Sequence, residues 1–202
     1  MTAALSGFGI GLTLILAIGS QNAFVLRQGL RGEHVAPVCL TCAISDAILI
    51  ALGVGGFQAV VARAEWIEPV FLTLGAGFLI LYGARSLWSA ATSTSALTPG
   101  DSAPSNLFKT LGICLALTWL NPHVYLDTVI FLGAVSTGYP GEETAFALGA
   151  AAASFTFFFS LGYGARILRP VFASARAWRI LDLLVGLLMW TIAARLVFGA
   201  TL

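Results

Sequence analysis

Two aspartates stand inside long apolar segments of this 202-residue chain. Asp46 lies in CAISDAILIALG, and Asp127 follows His123 in TWLNPHVYLD at a spacing that places both side chains on one face of a helix. A carboxyl group in a low-dielectric medium favours its protonated form until a cation arrives. Two such groups predict a site that exchanges a proton for a positively charged solute. The structural alternative is that each only pairs with a polar neighbour.

Amide side chains accompany both aspartates. Asn121 directly precedes Pro122, which has no N–H to offer the carbonyl of Thr118. The helix should therefore kink or break there and expose backbone groups to a polar cavity. In the other half of the chain, the run Gly19-Ser20-Gln21-Asn22 offers a break without proline. A purely structural role stays open, since asparagine can also bond a neighbouring membrane helix.

The composition excludes a water-soluble globule. Hydrophobic residues make up 58% of the chain and charged residues only 9%, whereas a soluble domain carries about 25% charged residues. We therefore expect a multi-pass membrane protein whose main partner is the lipid bilayer. The net charge of +1 gives no reason to expect a nucleic-acid partner.

Six apolar stretches are long enough to cross a bilayer, which takes about 20 helical residues. They cover residues 5–26, 36–62, 67–88, 108–134, 144–165 and 178–199. Helices are expected, because a helix satisfies its own backbone in lipid. The sequence thus predicts an all-α membrane protein with six transmembrane helices.

The predicted helices divide into two halves of three. Residues 1–88 form the first half and residues 107–202 the second, separated by a Ser-, Thr- and Pro-rich flexible linker at 89–106. Aligning LAIGSQNAFVL with LALTWLNPHVY places Asn22 on Asn121, and aligning GARSLW with AARLVF places Arg85 on Arg195. Because each half has an odd number of spans, the second copy must be inverted. Inverted repeats are typical of secondary transporters, whose sites lie near the bilayer midplane.

No catalytic constellation, nucleotide-binding loop or cofactor motif is present, so neither an enzyme nor a cofactor is expected. The cysteines Cys39, Cys42 and Cys114 lie in apolar segments, where small packing side chains are the simplest interpretation. Two alternatives remain. Divalent-metal efflux would use Cys39, Cys42, Asp46 and His123 as ligands. A thiol–disulfide carrier would use the three cysteines.

Four motifs make the chain resemble the LysE-type lysine/arginine exporters of bacteria: GSQNAFVLRQG, CAISD, TWLNPHVYLD and RAWRILDLLVGLLMW. The resemblance implies an inner-membrane exporter of basic amino acids driven by the proton motive force. One departure is Ser20, which stands where the family usually has proline. Carried over position by position, the expected functional residues are Gln21, Asn22, Asp46, Asn121, Pro122 and Asp127.

Each of these residues receives an expected role. Asp46 and Asp127 would attract the guanidinium or ammonium end of the substrate, and one of them would carry the coupling proton. The α-amino and carboxylate groups would be held by backbone carbonyls and three amides, Gln21, Asn22 and Asn121. His123 either tunes Asp127 or only packs, and the helix breaks fall at Gly19, Ser20 and Pro122. A neutral amino-acid exporter is the nearest alternative, and the sequence leaves open whether the chain forms a homodimer.

Overall fold

The computed structural model describes residues 2–16, 19–57, 67–92 and 106–199, and all regular structure in these ranges is helical. The described ranges also contain two π-helical segments, Gly53–Phe57 and Leu126–Phe131, and two short 3-10 segments, Ala165–Leu168 and Val171–Ala173. The α-helices of the described ranges are α1 (Thr2–Ile15), α2 (Ser20–Arg31), α3 (Val35–Leu52), α4 (Ile67–Thr92), α5 (Leu107–Trp119), α6 (Pro122–Tyr125), α7 (Leu132–Ser136), α8 (Glu143–Gly164) and α9 (Ala175–Gly199).

Two of the predicted spans are interrupted. The stretch 5–26 is divided between α1 and α2, whose axes differ by 83°. The stretch 108–134 is divided into α5, α6, a π-helical segment and α7. Within the described residues, three helical segments are long and apolar enough to cross a bilayer, and the bent pair α1–α2 brings the number to four. The protein is a multi-pass membrane protein whose described segments are helical, and six complete spans remain a prediction.

The predicted linker begins later than the composition indicates. Helix α4 continues to Thr92, so residues 89–92 are helical, and residues 93–105 lie outside the described ranges. Asn106 marks the start of α5, because its side-chain oxygen accepts a hydrogen bond of 3.2 Å from the backbone N–H of Lys109. Capping of this kind satisfies a donor that the first turn of a helix leaves unpaired.

Glycines allow α1 to pack directly on the backbone of α8. A Cβ at Gly7 would overlap the carbonyl oxygen of Phe146, and a Cβ at Gly149 would overlap that of Ala4. Small residues at such contacts let helices approach closely and gain van der Waals packing. Helix α8 also packs on α2 and α3, while α4 packs along α9.

A buried ion pair ties α2 to α9. The guanidinium of Arg27 lies 2.8 Å from Asp182, and the two side chains are only 14% and 5% exposed. Ser89 of α4 donates a 2.6 Å hydrogen bond to the second carboxylate oxygen. The sequence assigned no role to Asp182, which lies near the start of the predicted span 178–199.

We predict that Gly7→Val destabilises the protein, because the valine Cβ would meet the backbone of α8 and force the helices apart. Overpacking of this kind costs about 1–3 kcal/mol. Gly9→Val is the matched control, since no atom lies within 4 Å of a Cβ at Gly9. Thermal unfolding in detergent, followed by size-exclusion chromatography, measures the difference. Equal melting temperatures for the two variants would contradict the close contact.

We predict that Asp182→Asn is strongly destabilising, because it leaves the guanidinium of Arg27 buried without a counter-charge. Removing one partner of a buried pair costs about 3–5 kcal/mol. The double variant Arg27→Gln/Asp182→Asn should recover part of this loss, since no unpaired charge remains. A double variant less stable than Asp182→Asn in the same unfolding assay would refute the pairing.

Candidate functional site

A cavity of about 320 Å³ lies where the two interrupted segments meet α3. This volume falls within the range of small-molecule pockets, roughly 300–1,000 Å³. Residues of both halves of the chain form its wall. The wall includes the glycine of the first break, Gly19, and six polar residues singled out from the sequence: Gln21, Asn22, Asp46, Asn121, His123 and Asp127.

Helix α3 positions Asp46, which is 4% exposed. One carboxylate oxygen accepts a hydrogen bond from the hydroxyl of Ser154, a fully buried residue of α8. The side chain of Gln21, at the start of α2, lies next to the same carboxylate. These polar neighbours stabilise the Asp46 carboxylate, so it can lie at the cavity wall beside an otherwise apolar core.

Asp127 belongs to the π-helical segment Leu126–Phe131 and is partly buried in the opposite half of the wall. Isolated π-helical turns often occur at functional sites. This segment packs against the first π-helical segment, where a Cβ at Gly53 would come within 2.6 Å of the carbonyl oxygen of Val129. Close contact of the two segments therefore depends on a residue without a side chain.

His123 and Asp127 line the same cavity, as their spacing predicts. His123 is exposed and forms no ion pair with Asp127 within the described ranges. Both possibilities for His123, tuning Asp127 or simple packing, therefore remain predictions.

The two asparagines that the sequence alignment pairs, Asn22 and Asn121, each form a hydrogen bond at a helix break. The Asn22 amide nitrogen donates a 2.8 Å hydrogen bond to the carbonyl of Ile15, the last residue of α1. The Asn121 amide oxygen accepts a 3.2 Å bond from the backbone N–H of His123 and so caps α6. Asparagine at the cap followed by proline at the first helical position is a favoured helix start. Both amides thus stabilise the breaks as well as lining the cavity.

The backbone groups freed at the second break find other partners. The Thr118 carbonyl, which Pro122 cannot serve, receives only a long 3.4 Å bond from the N–H of Asn121. The Trp119 carbonyl accepts a 2.9 Å bond from the Tyr125 hydroxyl. These substitute bonds give the carbonyls of Thr118 and Trp119 hydrogen-bond partners where the helix is interrupted.

Two residues of the predicted breaks do not line the cavity. Ser20 is buried as the first residue of α2. Pro122 lies behind the wall, where its ring and the Leu120 carbonyl face the space above Gly75 of α4. Their positions give them a part in shaping the breaks and none in the lining of the cavity.

The cysteines lie outside the cavity. Cys39 donates a 3.1 Å hydrogen bond to the carbonyl of Phe158, and the sulfur atoms of Cys42 and Cys114 are 3.3 Å apart as free thiols. No group of three His, Cys, Asp or Glu side chains within the described ranges is arranged to hold a metal ion.

Arg195 is a cavity residue to which the sequence analysis gave no role. It lies on α9 and is exposed. The available signals were its place in the apolar run AARLVF and its alignment with Arg85. Its closeness to the aspartates could not be inferred, because it depends on how α9 packs against the interrupted helices.

Comparison with known proteins places the chain among membrane transporters. The sequence profile of the family described as LysE type translocator matches residues 12–199. The arginine exporter protein ArgO of Salmonella typhimurium is 40% identical over 191 residues, which cover 94% of this chain and 90% of the relative. The putative amino-acid transporter Rv0488 of Mycobacterium tuberculosis is 45% identical over 185 residues, which cover 90% of each chain. No solved structure matches the chain.

Proposed function

This chain belongs to the LysE type translocator family, and we propose that it exports basic amino acids, arginine above all, across a bacterial inner membrane. Family membership makes it a transporter and not an enzyme. The observation that carries the substrate class is that Asp46 and Asp127, from different halves of the chain, line one cavity. The name of the Salmonella relatives supports arginine as the first substrate.

The energetics of the two aspartates support a cationic substrate. An Asp at the centre of a membrane helix costs about 2.5–3.5 kcal/mol on insertion scales. Two such residues facing one cavity gain their stabilisation when a cation is bound between them. A guanidinium matches a carboxylate with two parallel hydrogen bonds, whereas an ammonium acts as a point charge. Arginine is therefore the preferred substrate and lysine a second one.

Proton coupling follows from the same residues. If the cavity were empty and its carboxylates ionised, the protein would have to reopen the cavity to the other side of the membrane with uncompensated negative charge inside it. Protonation of Asp46 or Asp127 removes that charge, because a buried carboxyl group favours its neutral form when no cation is near. The protein then returns with a proton and leaves with a basic amino acid, which is antiport.

We infer that the two halves are inverted repeats that rock about this cavity. Under an exchange of the halves, α1 corresponds to α5, α3 to α8 and α4 to α9. The packing supports this relation, since α1 packs on α8 and α5 packs on α3, while the pairs α3–α8 and α4–α9 each map onto themselves. A site at the junction of such repeats can be opened to either side by moving one against the other.

Neutralising either cavity aspartate should abolish arginine export. We predict that Asp46→Asn and Asp127→Asn lower the rate of radiolabelled arginine efflux from proteoliposomes at least about 100-fold, because each variant loses a charge-assisted contact, which contributes about 10- to 100-fold, and also a candidate carrier of the coupling proton. Glu142→Gln is the matched control, because Glu142 is an exposed carboxylate outside the cavity. Wild-type rates in both aspartate variants would remove the basis of the proposed site.

The substrate range should follow the charge of the side chain. Reconstituted protein should release arginine and lysine and retain threonine and homoserine, because a neutral side chain cannot compensate a second buried carboxylate. An acidic exterior should accelerate arginine efflux, and collapse of the pH gradient should slow it. Threonine efflux without arginine efflux would favour the neutral amino-acid exporter instead.

A further inference from the structure

Arg195 is a permanently charged group in the cavity wall that the proposed function does not yet use. It lies on α9 between apolar neighbours, and Ile192, one helical turn before it, lines the same cavity. A guanidinium keeps its charge in proteins. Ionisable residues within membrane segments are rare and mark substrate or ion pathways. Arg195 ends the candidate membrane span Ala175–Arg195 and is exposed, so its charge is accessible to a negatively charged group of a solute in the cavity.

The described part of the chain does not supply such a negatively charged group. No carboxylate in these ranges lies within ion-pair distance of Arg195. Arg27 shows the contrast, since its guanidinium lies 2.8 Å from Asp182 in a closed pair away from the cavity. One arginine is compensated within the protein, and the other faces the space where substrate would bind.

We propose that Arg195 binds the α-carboxylate of the transported amino acid, an inference that rests on the proposed export of basic amino acids. The fixed charges of the cavity wall are two carboxylates, Asp46 and Asp127, and one guanidinium. A basic amino acid carries the complementary set: a cationic side chain, a cationic α-amino group and one carboxylate. The guanidinium fork binds a carboxylate with two parallel hydrogen bonds.

The amide side chains of Asn22 and Asn121 are less suited than Arg195 to binding the α-carboxylate. The Asn22 amide nitrogen is engaged with the Ile15 carbonyl at 2.8 Å, and the Asn121 amide is oriented by its bond to the N–H of His123. Their geometry is fixed by the helix breaks. The amides keep their expected role as neutral contacts to the α-amino and carboxylate groups, and the buried side-chain nitrogen of Gln21 has no hydrogen-bond partner among the described residues. Arg195 adds the charge-assisted contact.

Arg195 would make the site selective for amino acids over amines. Agmatine, the amine left when arginine loses its carboxyl group, retains the guanidinium but offers nothing to Arg195. A site built to bind a polar group rejects an analogue that lacks it, because its own polar group is then left unpaired. The cavity would therefore retain such amines inside the cell while releasing the amino acids themselves.

Direct binding of radiolabelled arginine and agmatine to the purified full-length protein tests this role. We expect wild-type protein to bind arginine roughly 10- to 100-fold more tightly than agmatine, the ratio typical of a charge-assisted contact. Arg195→Gln should weaken arginine binding by that factor and leave agmatine binding unchanged or stronger. Arg195→Lys, which keeps the charge without the fork, should fall between them.

Arg85→Gln is the matched control, because Arg85 is exposed on α4, outside the cavity, and aligns with Arg195 in the other half. It should bind both ligands as the wild type does. Unchanged arginine binding by Arg195→Gln, or equal weakening of both ligands, would overturn the role of Arg195 alone. Absence of arginine binding by the wild-type protein would overturn this inference together with the proposed function.

Discussion

The structure depends on interrupting two apolar helical stretches while giving backbone groups beside the breaks substitute hydrogen-bond partners. In a hydrocarbon environment each unsatisfied N–H or carbonyl costs several kcal/mol, so a break needs substitute partners. Asn22 closes the first break onto Ile15, and Asn121 caps the helix after the second. Because these substitutes are side chains of the broken segments themselves, the breaks can face a cavity. The same two asparagines therefore stabilise the breaks and line the cavity.

Close helix packing holds that cavity between the two halves. Gly53 of the first π-helical segment packs against the second π-helical segment and against Gly133 of α7. A Cβ on either glycine would come within 2.7 Å of the facing backbone. On the other side of α3, Ser154 of α8 fixes the carboxylate of Asp46. Small residues allow the helices to pack closely, and the hydrogen bond from Ser154 then orients the Asp46 carboxylate. Shape and charge of the cavity are therefore set by the same contacts.

The sequence was most informative where the signal is local. The break at Pro122 follows from covalent geometry, and the places of Asp46 and Asp127 follow from charge within apolar runs. The sequence could not reveal that Ser154 binds Asp46 or that Asp182 binds Arg27, because these partners are far apart in the chain. Hydropathy also treated each interrupted stretch as one span, since an average over a window does not register a bend.

The two arginines, Arg27 and Arg195, differ in how their charges are compensated within the described residues. The pair of Arg27 with Asp182 is neutral as a pair, nearly buried and joined to a hydroxyl of α4, and it lies outside the cavity. The cavity instead holds two carboxylates against one guanidinium, an imbalance of one negative charge. A protein that only needed stability would compensate this charge internally, as it does at Asp182. We propose that this uncompensated charge is neutralised when a cation binds, either a proton or a basic amino acid.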